Sequence, residues 1–307
     1  LITAVYMAYD GYGAWALIGQ QIAIFATKVS LVCLLSPFRP LMKLNWPEVR
    51  EHMQFGRNVL GNSLVTYFTR SGDNWIVGKM LGATLVGFYS MAFMFARLPM
   101  QIVAGPLQFV MYAQLAKMKD NPAVIARIFL LMTRILAILI FPAMGLIAAA
   151  HVAVFTLLLS EKWLPAGTIY LLLAPACAAQ AVIALRETIM FAMNRTDIQL
   201  RTSSEYAVIW IVSLLIFSTQ GIEAAAITFS VVTLLYQWRY LSIMLPLIGV
   251  ARRDYFSTYL IPLVATGLGI VAYIAISTFM PMAHWAASIL AAVIAITAIL
   301  GSALVQK

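Results

Sequence analysis

The chain of 307 residues is much more apolar than a soluble protein, with 63% hydrophobic residues, 10% charged residues and a mean hydropathy of +0.92. Soluble domains are nearer half apolar and a quarter charged, so this composition disfavours soluble enzymes. The 20 basic residues exceed the 11 acidic ones, and in an apolar chain such an excess indicates positively charged cytoplasmic loops rather than nucleic-acid binding. The 2 cysteines and 3 histidines are too scattered for a disulfide framework or a metal site, and we expect no cofactor.

Nine stretches are long and apolar enough to cross a membrane as helices, which takes roughly 20 residues. In chain order they lie at about 14–36, 59–80, 84–110, 125–149, 166–192, 204–220, 222–247, 256–280 and 284–304. Residues 1–8 are typical of the end of one more helix. Because the chain begins in an apolar run, without Met or a basic segment, we expect that its first part is missing.

Loops on alternate sides of these spans differ in charge. One set of loops is almost uncharged, and its only basic residues are Lys79 and Lys162. The other set carries Arg39, Lys43, Arg50, Arg57, Lys117, Lys119, Arg127, Arg195, Arg201, Arg252 and Arg253. Positive loops stay in the cytoplasm, so the second set is predicted to face it.

A polar, proline-containing stretch follows the first full span and divides the chain. Within it, residues 46–57 have a thin apolar stripe and are predicted to form an amphipathic helix on the inner membrane surface. The resulting organisation is a front group, a cytoplasmic linker, a group of six spans and a last pair of helices. Their boundaries are 1–36, 37–58, 59–248 and 249–307.

Charged side chains inside spans are costly and usually face a protein interior or a water-filled cavity. The candidates for such a cavity are Lys28, Arg70, Asp73, Asn74, Arg97, Arg134, Arg186, Glu187 and Arg239. Arg70 and Asp73 are three residues apart on one helix face, where they can pair. Two interpretations stay open for this pair: an ion pair that only holds the bundle together, or a cavity lining that exchanges partners during transport.

The remaining arginines also have two interpretations. Arg186 and Arg239 lie near helix ends, where a long side chain can extend to the membrane interface. The candidates as a set are nevertheless positive, and the planar guanidinium of arginine binds two oxygens of phosphate or carboxylate at once. The pattern therefore favours an anionic cargo over an organic cation.

Several motifs together resemble the Wzx-type polysaccharide transporters of bacteria. The resemblance covers nearly the whole chain, although Ser160 stands where the family usually has glycine. The motifs lie at Gly11–Leu17, Arg39–Pro40, Arg70–Ala83, Leu85–Ala92, Arg97–Pro99 and Leu158–Trp163. Such a resemblance implies an all-α membrane bundle like that of the multidrug and oligosaccharidyl-lipid exporters, with two six-helix lobes around a central cavity and two extra C-terminal helices. Residues 1–36 would then be the remainder of the first lobe and residues 59–248 the second lobe.

The resemblance also implies a function. Members of this family move undecaprenyl-diphosphate-linked oligosaccharide repeat units across the bacterial inner membrane for lipopolysaccharide, exopolysaccharide or capsule synthesis. The expected partners are this lipid-linked oligosaccharide, the bilayer, and polymerase or chain-length proteins, without nucleic acid. No enzymatic activity is expected.

Three alternatives are weaker. A drug or cation antiporter of the same fold would need more carboxylates within the membrane. A membrane-embedded polymerase or glycosyltransferase would need a large outer loop or catalytic carboxylates at an interface. A scaffold without transport activity would have no use for buried charges.

Overall fold

The computed structural model describes residues 2–13, 15–36, 46–118 and 121–279, and all regular secondary structure in these ranges is helical. The all-α prediction is therefore confirmed for them. The helices are α1 (Ile2–Tyr9), α2 (Trp15–Leu35), α3 (Trp46–Leu81), α4 (Ala83–Pro99), α5 (Gly105–Lys117), α6 (Pro122–Ala149), α7 (His151–Leu159), α8 (Leu164–Val182), α9 (Leu185–Ala192), α10 (Thr196–Phe217), α11 (Ile222–Leu247) and α12 (Arg252–Phe279). The chain divides into two compact units, Leu1–His52 and Met53–Lys307.

Six helical segments are long and apolar enough to span a membrane, and they correspond to six of the predicted spans. They are Ile18–Leu35, Ala83–Lys117, Pro122–Ala149, Glu161–Ala192, Thr196–Gln220 and Arg252–Thr278. The predicted spans 59–80 and 222–247 form long helices, α3 and α11, that are less apolar. The predicted span 284–304 lies outside the described residues.

Helix α3 is 36 residues long and runs without a break from Trp46. The helix predicted for residues 46–57 is present as the first part of α3, and it continues without a break into the predicted span 59–80. Its position on the inner membrane surface stays a prediction. Four of the polar residues that lower the hydropathy of α3 line the cavity described below, namely Thr66, Thr69, Arg70 and Asp73.

Tight turns join neighbouring helices in the second unit. Gly82, between α3 and α4, has a φ of 92°, and Gly221, before α11, has a φ of 114°. Both angles lie in the region that glycine adopts without steric cost. At the start of α6, the side chain of Asn121 accepts a hydrogen bond from the backbone N–H of Val124, as helix-capping residues do.

Helix α8 lies at the centre of the second unit and packs against α4, α6 and α11. Its alanines are buried and let these neighbours approach closely. An aromatic cluster fills the space beside it: Phe93 of α4 packs edge-to-face against Phe229 of α11, which packs the same way against Trp210 of α10. Edge-to-face contacts are the favoured geometry for aromatic pairs, so this cluster ties three helices together.

Two predicted spans are not single α-helices. The stretch predicted at 84–110 contains a π-helical turn, Met100–Ala104, between α4 and α5. The stretch predicted at 166–192 breaks after Val182 and resumes at Leu185 as α9. Residues 151–159, predicted as loop, form the short helix α7.

Helices α6 and α12 pack tightly at Gly145, where an added Cβ would lie 2.5 Å from the Thr266 methyl carbon. The hydroxyl of Thr266 donates to the carbonyl oxygen of Pro262 at 2.7 Å, which fixes this side chain. We expect Gly145→Ala to destabilise the protein by about 1–2 kcal/mol, because overpacking outweighs the gain in helix propensity. The measurement is thermal unfolding of the purified protein.

Gly87→Ala is the matched control, since Gly87 is also helical but its added Cβ meets nothing within 4 Å. This variant should unfold at the same temperature as wild type or slightly higher. Equal unfolding temperatures for the two variants would contradict the close packing of α6 on α12.

Candidate functional site

A polar cavity of about 190 Å³ lies within the second unit. Side chains from α3, α4, α5, α8, α9, α10 and α11 line it, so residues far apart in the chain meet there. Of the predicted site residues, the cavity brings together Arg70, Asp73, Arg97, Arg186 and Glu187. Its other polar lining residues include Thr66, Thr69, Gln101, Gln108, Gln180, Gln199, Thr202, Ser203, Tyr206, Thr233, Tyr236, Gln237 and Tyr240.

The ion pair of Asp73 differs from the predicted one. Its Oδ2 lies 3.6 Å from Nη2 of Arg97 on α4, whereas the sequence spacing suggested Arg70 as the partner. The side chain of Asp73 is 2% exposed and that of Arg97 is 31% exposed. The guanidinium of Arg97 also lies over the ring of Phe93, with Cζ 4.3 Å from its centroid. Asp73 therefore holds Arg97 between two helices, and the local helix spacing does not decide the pairing.

Arg70 remains without an ion pair among the described residues. Arg70 lies about one helical turn before Asp73 on α3. It is an exposed residue, and it lines the cavity. Within the second unit, its guanidinium keeps its hydrogen-bond donors unused. Such a group suits a ligand that carries paired oxygens.

Arg186 and Glu187 of α9 belong to a second polar group in the cavity wall. Oε1 of Glu187 accepts a hydrogen bond from Nδ2 of Asn62 on α3 at 2.7 Å. Cζ of Arg186 lies 4.9 Å from the ring centroid of Tyr240, whose hydroxyl donates to Oε1 of Gln199 at 2.7 Å. Glu187 is thus held by an amide and Arg186 by an aromatic ring, and no ion pair joins the two neighbours.

Both helix breaks contribute to the cavity lining. Met100 and Gln101 of the π-helical turn line it, as does Ala184 between α8 and α9. Nε2 of Gln108 on α5 donates to the carbonyl oxygen of Ala184, the residue that precedes α9. Interrupted helices at the binding site are typical of transporters, because they expose backbone polar groups and can bend.

Four predicted residues do not line this cavity. The side chain of Asn74 accepts a hydrogen bond from Ser90 at 3.1 Å, and Arg239 forms an ion pair with Glu205 at 2.9 Å. Arg134 is half-buried on α6, away from the lining residues. Lys28 is exposed on α2, in the first unit, whereas the cavity belongs to the second.

The sequence reasoning missed the amide residues of the site because it searched for charged groups. Asn62 is 3% exposed and joins α3 to α9 through Glu187. Gln108, Gln180 and Gln199 line the cavity from three different helices. A search for polar side chains of every kind inside apolar spans would have found them.

The lining is net positive, with three arginines against two carboxylates. Among the residues that the structure describes, no group of three His, Cys, Asp or Glu side chains could hold a metal ion. The arrangement is suited to reversible binding of an anion that also carries hydroxyl groups, because guanidiniums take phosphate oxygens while amides and phenols take hydroxyls.

The fold is similar to that of a solved lipid II flippase, MurJ in its inward closed conformation, with a TM-score of 0.70 and 14% identity over 97% of this chain and 64% of that one. The teichuronic acid biosynthesis protein TuaB of Bacillus subtilis (strain 168) is 26% identical over 73% of this chain and 47% of its own. The succinoglycan biosynthesis transport protein ExoT of Rhizobium meliloti (strain 1021) is 25% identical over 56% of this chain and 35% of its own.

The lipopolysaccharide biosynthesis protein WzxC of Escherichia coli (strain K12) is 24% identical over 73% of this chain and 46% of its own. The chain thus spans about half the length, or less, of these curated relatives. Residues 1–168 match the family described as "Polysaccharide biosynthesis protein", which is more than half of the 307 residues. The chain belongs to the polysaccharide biosynthesis protein family.

Proposed function

We propose that this protein is a flippase that moves an oligosaccharide, linked through diphosphate to a polyprenyl lipid, across the bacterial inner membrane for polysaccharide synthesis. The net positive cavity inside an apolar helical unit is the observation that supports this function best. A diphosphate carries paired anionic oxygens and the sugars carry hydroxyls, and the cavity offers donors for both. The family membership and the names of the relatives point to the same pathway.

In this proposal the cavity arginines have different roles. Arg70 has no protein ion pair within the described residues and is the diphosphate ligand. Arg97, which lies on α4, is held in place by Asp73 and stabilises the negative charge of the diphosphate. The second polar group, around Glu187 and Gln199, offers hydrogen bonds to the sugars.

Transport requires that the cavity opens alternately to each side of the membrane. The π-helical turn Met100–Ala104 and the break between α8 and α9 are the points where the cavity walls can bend. In this proposal the cargo enters from the cytoplasm, the side that the positively charged loops are predicted to face. The cargo then passes to polymerase and chain-length proteins outside, and the step itself needs no catalytic group.

A gene deletion tests the proposed function. Cells that lack the protein should stop exporting polysaccharide and accumulate the lipid-linked repeat unit on the cytoplasmic face, where an oligosaccharide-cleaving enzyme added to the outside of spheroplasts cannot reach it. Expression of the protein should restore export and outside access. Accumulation on the outer face would instead indicate a polymerase defect and contradict the proposal.

A further inference from the structure

A charged cluster links α10 and α11 beside the wall of the cavity, and its three charged side chains, Arg201, Glu205 and Arg239, do not line the cavity. Oε1 of Glu205 accepts a hydrogen bond from Nε of Arg201 at 3.0 Å. Its other oxygen, Oε2, accepts a hydrogen bond from Nη2 of Arg239 at 2.9 Å. The hydroxyl of Tyr236 donates to the same Oε2 at 3.2 Å. One carboxylate therefore holds two guanidiniums side by side, and the cluster keeps a net positive charge.

The helical repeat places this cluster outside the cavity. On α10, the lining residues, among them Gln199 and Ser203, share one face. Arg201 is turned roughly 100° or more from every lining residue of α10, and Glu205 lies at the edge of that face, roughly 60° from Thr202. The side chains of Arg201 and Arg239 are 77% and 49% exposed. The cluster is thus open on the outer surface of the second unit.

The surroundings of the cluster match the boundary between lipid headgroups and acyl chains. Further along both helices, large apolar side chains are exposed, among them Val208 at 63% and Leu235 at 68%. Trp238, beside Arg239 in the sequence, is 54% exposed, and Cζ of Arg252 lies 5.8 Å from its ring centroid. Exposed Trp next to arginine, at the edge of an apolar belt, is typical of the membrane interface.

The two arginines keep unused donors. Arg201 donates to Glu205 through Nε alone, and Arg239 donates through Nε and Nη2. A guanidinium has five N–H donors, so each retains donors without a partner among the described residues. Two adjacent guanidiniums with free N–H groups form a receptor for phosphate oxygens.

We propose that Arg201 and Arg239 bind the phosphate of an anionic phospholipid in the leaflet next to the positively charged loops. Glu205 sets the spacing of the two guanidiniums and lowers their mutual repulsion. Tyr236 lines the cavity with its side chain and contacts Glu205 with its hydroxyl, so the lipid site adjoins the wall of the transport cavity. The site is separate from the cavity and does not depend on which cargo the protein moves.

The test measures retention of phosphatidylglycerol by the purified full-length protein in nanodiscs, with phosphatidylcholine as the neutral reference. The double variant Arg201→Gln/Arg239→Gln should lose phosphatidylglycerol preference by about fivefold or more for each arginine removed, as expected for basic side chains at an anionic leaflet. Arg127→Gln is the matched control, because Arg127 is an exposed arginine on α6 in the same set of basic loops but outside the cluster, and it should lose less of the preference than either arginine of the cluster.

Glu205→Gln separates a lipid site from a purely structural link between the helices. If the arginines bind lipid phosphate, this variant keeps or increases phosphatidylglycerol preference even if its melting temperature falls. An unchanged preference in the arginine double variant would overturn the proposal. A second result would also overturn the proposal: the wild-type protein shows no preference for phosphatidylglycerol, and undecaprenyl phosphate competes for the cluster. That result would assign the cluster to the cargo lipid.

Discussion

Arg70→Ala is expected to slow polysaccharide export strongly while the protein remains folded and inserted. Arg70 has no ion pair among the described residues, so its removal breaks no protein contact of that kind. Its proposed contact with the diphosphate is a charge-assisted hydrogen bond, and the loss of about 1.5–3 kcal/mol corresponds to a roughly 10- to 100-fold slower transport. The measurement is export in a deletion strain, with membrane insertion checked by immunoblot.

Two further variants make this prediction specific. Arg70→Lys keeps the charge but not the planar fork, so it should restore export only in part. Arg127→Ala removes an exposed arginine of α6 that does not line the cavity, and it should export normally. The melting temperature of Arg70→Ala should stay within about 2 °C of wild type, as for substitutions without buried partners. Normal export by Arg70→Ala would contradict its assignment as a ligand.

Asp73→Ala should both destabilise the protein and stop transport. Asp73 is almost fully buried, and its removal leaves the guanidinium of Arg97 without its 3.6 Å partner. Breaking a buried pair costs roughly 3–5 kcal/mol, and the 31% exposure of Arg97 reduces the expected loss to about 2 kcal/mol. For a unit of this size we expect the melting temperature to fall by about 4–8 °C.

The double variant Asp73→Ala/Arg97→Ala distinguishes the Arg97 pairing from the one that sequence spacing suggested. Because it removes both charges of the pair, it should recover part of the lost stability, but transport should stay low. Asp73→Ala/Arg70→Ala is the matched comparison and should recover none of that stability. A greater recovery with Arg70 than with Arg97 would show that the pairing follows the helix spacing instead.

The sequence predicted the helical class because long apolar stretches leave few alternatives in a membrane. It also indicated which α3 residues are functional candidates, since Arg70 and Asp73 stand out in an apolar span. It did not predict the partner of Asp73, because spacing within one helix says nothing about a neighbouring helix. Arg97 reaches Asp73 only because the fold of the second unit brings this part of α4 beside α3.

The helix breaks illustrate a second limit. Residues 84–110 and 166–192 are predominantly apolar, so hydropathy treats each as one span. Pro99 precedes the π-helical turn, but proline also occurs inside α6, α8 and α12, which continue through it. The presence of a proline therefore does not by itself predict where a helix is interrupted.

The most direct test is the translocation of a lipid-linked oligosaccharide by the full-length protein in proteoliposomes. Wild-type protein should make the inner-leaflet population of labelled lipid accessible to an oligosaccharide-cleaving enzyme outside, and Arg70→Ala should leave it protected although it is reconstituted equally well. Two results would contradict a flippase that uses this cavity. In the first, the inner-leaflet lipid stays protected from the enzyme with wild-type protein, even under an imposed membrane potential and ion gradient. In the second, Arg70→Ala exposes that lipid as fully as wild-type protein does.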